Sequence, residues 1–143
     1  MKHLLTPLCL LACCGLADAA GPLAAVPARN WSTQLFTKEG FHSMTARGSE
    51  VRKASDTELD VVDLNLTVFC GDATNRVETI ILSPAATFFP KQSIARGDRG
   101  VRLIRDDLEA AGTRWTYEHA EKKVSLHGQV RIVINAEFKD LLK

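Results

Sequence analysis

Between Asp60 and Cys70 the chain alternates apolar and polar residues, with Val62, Leu64, Leu66 and Val68 separated by Asp63, Asn65 and Thr67. Side chains of a β-strand point to opposite faces with period two, so this pattern predicts a strand with one face in a core. A helix could gather Leu59, Val62, Leu66 and Phe69 on one side. The β-branched content and the Gly71-Asp72 stop favour the strand. Gly recurs at 40, 48, 71, 97, 100, 112 and 128, and most runs between these points are too short for helices. The rhythm predicts an all-β fold of about eight to ten short antiparallel strands, a sandwich or a folded-over β-jelly-roll.

Further strands are expected at Val77–Leu82, ended by Pro84, and at Ala86–Phe89, closed by Pro90. Val101–Arg105, Arg114–Tyr117, Val124–Gly128 and Val130–Ile134 continue the series, with Asp106–Gly112 as an irregular link or one more short strand. Ser32–Phe36 and Phe41–Ala46 form a weaker hairpin around Lys38-Glu39-Gly40. The inward-facing set expected from these runs is Val62, Leu64, Leu66, Val68, Ile80, Leu82, Val101, Leu103, Trp115, Val124, Leu126, Val130, Ile132 and Ile134.

The N-terminus has a different character. Met1-Lys2-His3 is a short basic start, Leu4–Ala17 carries no charge, and Ala17-Asp18-Ala19 fits a small-x-small cleavage pattern, so residues 1–19 are expected to be a secretory signal peptide. The apolar run is shorter than the ~20 residues of a spanning helix and contains Pro7. Leu10-Leu11-Ala12-Cys13 also resembles a lipobox, in which case Cys13 would carry the lipid. Residues 20–30, with two prolines, are expected to be a linker, 31–136 the β domain, and 137–143 a tail that frays or makes one helical turn. Cys9, Cys13 and Cys14 lie in the leader, leaving Cys70 without an intramolecular partner after cleavage. A secreted domain without disulfides points to a bacterial periplasm and an adequate core.

Chemistry is sparse. The 18 Lys and Arg against 17 Asp and Glu give a net charge of +1, which lacks the basic excess of a nucleic-acid binder. There is no Gly-x-Ser-x-Gly, no phosphate loop, no Cys-x-x-Cys and no His-x-x-x-His. His42, His119 and His127 fall on separate segments, and Asp106, Asp107 and Glu109 read as a solvated loop. Arg96-Gly97-Asp98 and the triplets Asn30-Trp31-Ser32 and Asn65-Leu66-Thr67 match short adhesion and glycosylation patterns by letters only. No catalytic residue, metal site or cofactor is expected. Cys70 is either a small buried hydrophobe or an exposed thiol.

From Phe41 to Ile134, and above all from Gly97 onward, the chain resembles the LptC/LptA (OstA-like) family of lipopolysaccharide-export proteins. The resemblance is carried by Thr45-Ala46-Arg47-Gly48-Ser49-Glu50, Leu64–Cys70, Ala95-Arg96-Gly97-Asp98 with Val101-Arg102, and Asp107-Leu108-Glu109 with Ala111-Gly112. It is strongest in Trp115-Thr116-Tyr117 followed by Lys123–Ile132. It implies a periplasmic, non-enzymatic carrier whose two sheets leave an apolar groove for the acyl chains of lipopolysaccharide or a related lipid. It further implies edge-strand pairing with other β-jelly-roll transport proteins and contact with an inner-membrane ABC transporter. The inward-facing set above would then line the groove. The other readings are a secreted β-sandwich that binds protein or glycan through its loops, and a small hydrolase using Asp106, Asp107 or a histidine.

Overall fold

A computed structural model describes residues 26–135. The expected leader, the first part of the linker and the tail lie outside the described residues. Ten strands follow in chain order: β1 (Ala28–Phe36), β2 (His42–Lys53), β3 (Leu59–Phe69), β4 (Val77–Phe89), β5 (Ile94–Gly97), β6 (Val101–Ile104), β7 (Leu108–Gly112), β8 (Arg114–Glu118), β9 (Lys123–His127) and β10 (Arg131–Ile134). All pairings are antiparallel within one sheet. The all-β expectation holds, as does the number of strands.

Three strands are longer than expected. β1 begins at Ala28, inside the stretch assigned to the linker. β2 runs to Lys53, and β4 passes through Pro84 to Phe89, merging two expected strands into one of 13 residues. Proline is tolerated there because β4 changes partners at that point. Its first half, Ile80–Leu82, pairs with β6, its second half, Thr87–Phe89, pairs with β5, and Pro84 falls in the gap between them. The sheet therefore divides at Pro84 into two arms, β6–β7–β10 and β5–β8–β9.

Burial reveals what happens at the division. On β2 the buried inward positions run Met44, Ala46, Gly48 and then Val51; on β3, Val61 and then Leu64, Leu66, Val68; on β4, Thr79, Ile81, Ser83 and then Ala86, Phe88. Each strand keeps period two except for one step of three. The steps align, because Val51 pairs Val61, Val61 pairs Ala86, and Leu64 pairs Ser83. Along this transverse line all three strands exchange faces. Asp63 adopts a left-handed conformation, φ 51°, which a short polar side chain tolerates. Ser49 Oγ donates to Asp63 Oδ2 at 2.8 Å, tying β2 to the turn in β3.

The two arms and the two halves of β2–β4 thus form facing layers around one core that includes Leu66, Ile81, Trp115 and Tyr117. The Trp115 indole Nε1 donates to Ser83 Oγ at 3.2 Å, and Ser83 Oγ lies 2.8 Å from Gly100 O and 2.9 Å from Ala85 O, donating its single proton to one of them. One serine on the exchange line thereby satisfies the largest buried side chain of the opposite layer. Two glycines let the layers close. A Cβ at Gly48 would lie 2.4 Å from Val61 Cγ1, and one at Gly97 would lie 2.5 Å from Trp115 Nε1 and 2.8 Å from Ala85 O.

Gly48→Ala is expected to destabilise the fold by about 1–3 kcal/mol, the usual cost of overpacking. Chemical denaturation should show a lower midpoint at unchanged slope. An unshifted midpoint would mean that the strands can separate along the exchange line without cost.

Candidate functional site

The interior is packed through its centre by Trp115 and Tyr117 and opens at one side. There a cavity of about 230 Å³ is bounded by Val68 and Thr79 of the shared strands, Leu103, Leu108 and Ala110 of one arm, Tyr117, Val124 and Leu126 of the other, and Ile132. Closed pockets for drug-sized ligands occupy ~300–1,000 Å³. This cavity is smaller, but it is not closed. β10 lies at the end of its arm, where the opposite layer no longer covers it. Ile132 pairs with Ala110 and Ile134 with Leu108, so both project from the inward face. They are nevertheless 57% and 64% exposed.

Glu78, Arg105 and Lys122 supply the charged residues of this cavity. Lys122 Nζ reaches Glu78 Oε2 at 3.1 Å and Phe69 O at 3.2 Å, clamping the β8–β9 turn to the ends of β3 and β4. Beside it the His119 ring bridges two layers, with Nδ1 2.8 Å from Tyr117 Oη and Nε2 3.2 Å from Ser43 Oγ. Burial, and after it the Lys122 charge, hold the His119 imidazole below its ordinary pKa. Burial likewise pushes the Tyr117 phenol up, so it stays a neutral hydrogen-bonding partner.

Of the fourteen residues expected on the inward face, eleven divide into three groups. Leu64, Leu66, Val68, Val101, Leu103 and Trp115 are buried in the core, with Val124 and Leu126 packed partly against it. Of these, Val68, Leu103, Val124 and Leu126 also line the cavity, together with Ile132. Ile134 shares the inward face of β10, and Val130 precedes it, 45% exposed.

Val62, Ile80 and Leu82 require correction. The exchange of faces at Asp63 places Val61 inward and leaves Val62 43% exposed. On β4 the inward positions are Thr79, Ile81 and Ser83, which turns the half-buried Ile80 and Leu82 to the opposite face. Two polar residues in the inward register concealed this in the sequence. Ile81, fully buried, was missed for the same reason.

The remaining motifs resolve as structure. His42 stacks between Phe36 and Phe69. Gly97 of Arg96-Gly97-Asp98 is paired in β5 opposite Trp115 instead of sitting at a turn tip. Asp107 pairs with Arg105, and Glu109 with Arg102, whose guanidinium holds its carboxyl below the usual range. Cys70 is half-buried at the end of β3. Among the described residues no group of three or more His, Cys, Asp or Glu is assembled for a metal.

Three comparisons bear on identity. A family model described as "Lipopolysaccharide-assembly, LptC-related" matches residues 60–135. Among solved structures, the chain is similar to LptH from Pseudomonas aeruginosa, titled the LptA homologous periplasmic component of the lipopolysaccharide transport device. The TM-score is 0.54 at 11% identity, covering 78% of this chain and 94% of that one. At that identity the likeness shows the fold, a β-jelly-roll of the LptA type. No curated protein matches the chain.

The His119 bridge predicts a pH dependence. Its folded pKa is depressed, so the stability contributed by the neutral ring is complete above the ordinary value of 6.5 and is lost as pH falls through the lower folded value. The urea midpoint should fall between pH 8 and pH 5, and fall less in His119→Gln. Equal losses in both proteins would show that the bridge does not sense protons.

Proposed function

Because the chain belongs to the LptC-related family of lipopolysaccharide-assembly proteins, we propose that it is a non-enzymatic periplasmic carrier or bridge component in lipopolysaccharide transport to the outer membrane. The observation that carries this reading is the uncovered inward face of β10 beside the apolar cavity. Burying acyl chains gains about 25 cal/mol per Å² and needs no catalytic group. The cavity as it stands receives the end of a chain, and Ile132 and Ile134 extend the apolar track to the sheet edge. Val68, Leu103, Val124, Leu126, Ile132 and Ile134 are the lipid-contacting residues in this proposal. In the same proposal Leu64, Leu66, Val101 and Trp115, buried at the centre, support the wall.

The same edge suits partner pairing. β10 pairs with β7 alone among the described strands, and Ile132, Val133 and Ile134 are all exposed. An exposed apolar edge with free backbone groups is a template for strand addition. Another β-jelly-roll domain docked there would continue both the sheet and the apolar track, and an inner-membrane ABC transporter would feed such a chain of domains. The leader, as signal peptide or lipoprotein signal, would deliver the domain to the periplasm.

A photocrosslinker at Ile132 in cells is expected to give a lipopolysaccharide adduct, whereas one at the neighbouring, outward-facing Val133 is expected to give much less. Equal labelling, or none at Ile132 where an established carrier labels, would overturn the carrier reading.

A further inference from the structure

Away from the apolar interior, the outer face of the half-sheet β3–β4–β5–β8–β9 is concave. It forms a trough of about 700 Å³ whose wall includes Asp60, Thr87, Arg96, Arg99, Arg114 and His127. Its lining also includes Val61, the exposed Val62, Ala85, Ala86 and Gly97. The pairing registers set a polar row across it: Asp60 opposite Thr87, Thr87 opposite Arg96, Arg96 opposite Thr116, and Thr116 opposite Ser125. Arg114, opposite His127, begins the next row.

Surface arginines are of two kinds, and Arg29, Arg47 and Arg131 share with those of the trough the lack of an ion pair among the described residues. Arg52, Arg102 and Arg105 each have a carboxylate partner. Among the described residues, Arg96, Arg99 and Arg114 enter no ion pair and no side-chain hydrogen bond. Arg96 lies over the Phe89 ring, Cζ 4.7 Å from its centroid. Stacking of that kind fixes the guanidinium plane and leaves its N–H edges unspent, a geometry matched to phosphate or carboxylate oxygens. Around the guanidinium groups stand hydroxyls and two carboxylates. Asp60 Oδ1 accepts from Thr87 Oγ1 at 3.3 Å and closes the row at its β3 end, while Asp98 follows β5. Those groups complement sugar hydroxyls and an amine. The trough's indole, Trp115, is buried, which leaves the imidazole of His127 as the exposed ring in its wall.

We propose that this outer trough is a second ligand site, which binds a phosphorylated saccharide with its phosphate on Arg96, Arg99 and Arg114 and its hydroxyl or amino groups on Asp60, Thr87 and Asp98. It deepens the carrier reading, resting on it for the natural source of the ligand: a lipid whose sugar phosphates ride outside while its acyl chains enter the opposite face of the protein or of a neighbouring domain.

The test uses acyl-free probes, so its failure would leave the Ile132 crosslink untouched. Glucosamine 1-phosphate, glucosamine and inorganic phosphate are titrated into the full chain and followed by backbone amide NMR. The phosphorylated sugar is expected to shift the amides of Arg96, Arg114 and Thr116 and to bind at least threefold more tightly than inorganic phosphate. Arg96→Gln and Arg114→Gln are each expected to weaken it about tenfold, the usual scale for a charge-assisted hydrogen bond. Arg131→Gln, on the other arm, should not. All three arginines of the test are exposed, and the amide spectra report whether each variant is folded. No shift with glucosamine 1-phosphate, the same shifts with glucosamine, or equal affinity for inorganic phosphate would each overturn the proposal.

Discussion

The exchange of faces along Gly48–Val51, Val61–Leu64 and Ser83–Ala86 is the constraint on which the rest of the structure depends. Strands of 11 to 13 residues are too long for one flat layer to bury in a domain of this size. Turning all three at one level gives each strand two short inward segments, one for each layer. Because the turn is concerted, the register survives it, with Leu64 opposite Ser83 and Val61 opposite Ala86 on its two sides. The same line frees the edge of β4 to take two different partners. The arms then close over each other, and Ser83 holds the indole that crosses between them.

The consequence for function is a separation of surfaces. The inward faces meet in a core that Trp115 and Tyr117 seal at the centre, so the interior is accessible where one arm outruns the other, at β10. The outer side of the other arm carries a trough walled by Asp60, Thr87, Arg96, Arg99 and Arg114. An amphiphile has two kinds of surface to satisfy, and this fold presents both kinds, one on each side of a single sheet. The Lys122 and His119 contacts secure the β8–β9 turn beside the cavity and so fix how far the layers stand apart there.

Much of this was legible in the sequence. The alternation of Leu64, Leu66 and Val68, the Gly spacing and the phrase from Trp115 to Ile132 identified the strands, the fold class and the family. Four features were not legible. Period two carries phase only while the backbone stays extended, and nothing in Val61-Val62-Asp63 distinguishes an aspartate in a left-handed conformation from one in an ordinary strand. Val62 was therefore placed inward. On β4, Thr79 and the hydrogen-bonded Ser83 occupy buried positions, so hydrophobicity pointed to Ile80 and Leu82 instead of Ile81. Pro84 looked like a stop, since its tolerance depends on a gap between two partners that only the tertiary arrangement creates. The trough was invisible for a further reason: Asp60, Arg96 and Arg114 are brought together by strand order, not by spacing along the chain.

The central claim is that lipid enters by the inward face of β10. Isoleucine methyl NMR measures it directly, with lipopolysaccharide solubilised in detergent titrated into the protein against the detergent alone. The account predicts that the Ile132 and Ile134 methyl signals shift or broaden first and most, while Ile80 and Ile104, paired across β4 and β6 on the outer side, stay in place. Shifts centred on Ile80 and Ile104, with Ile132 and Ile134 unmoved, would contradict it.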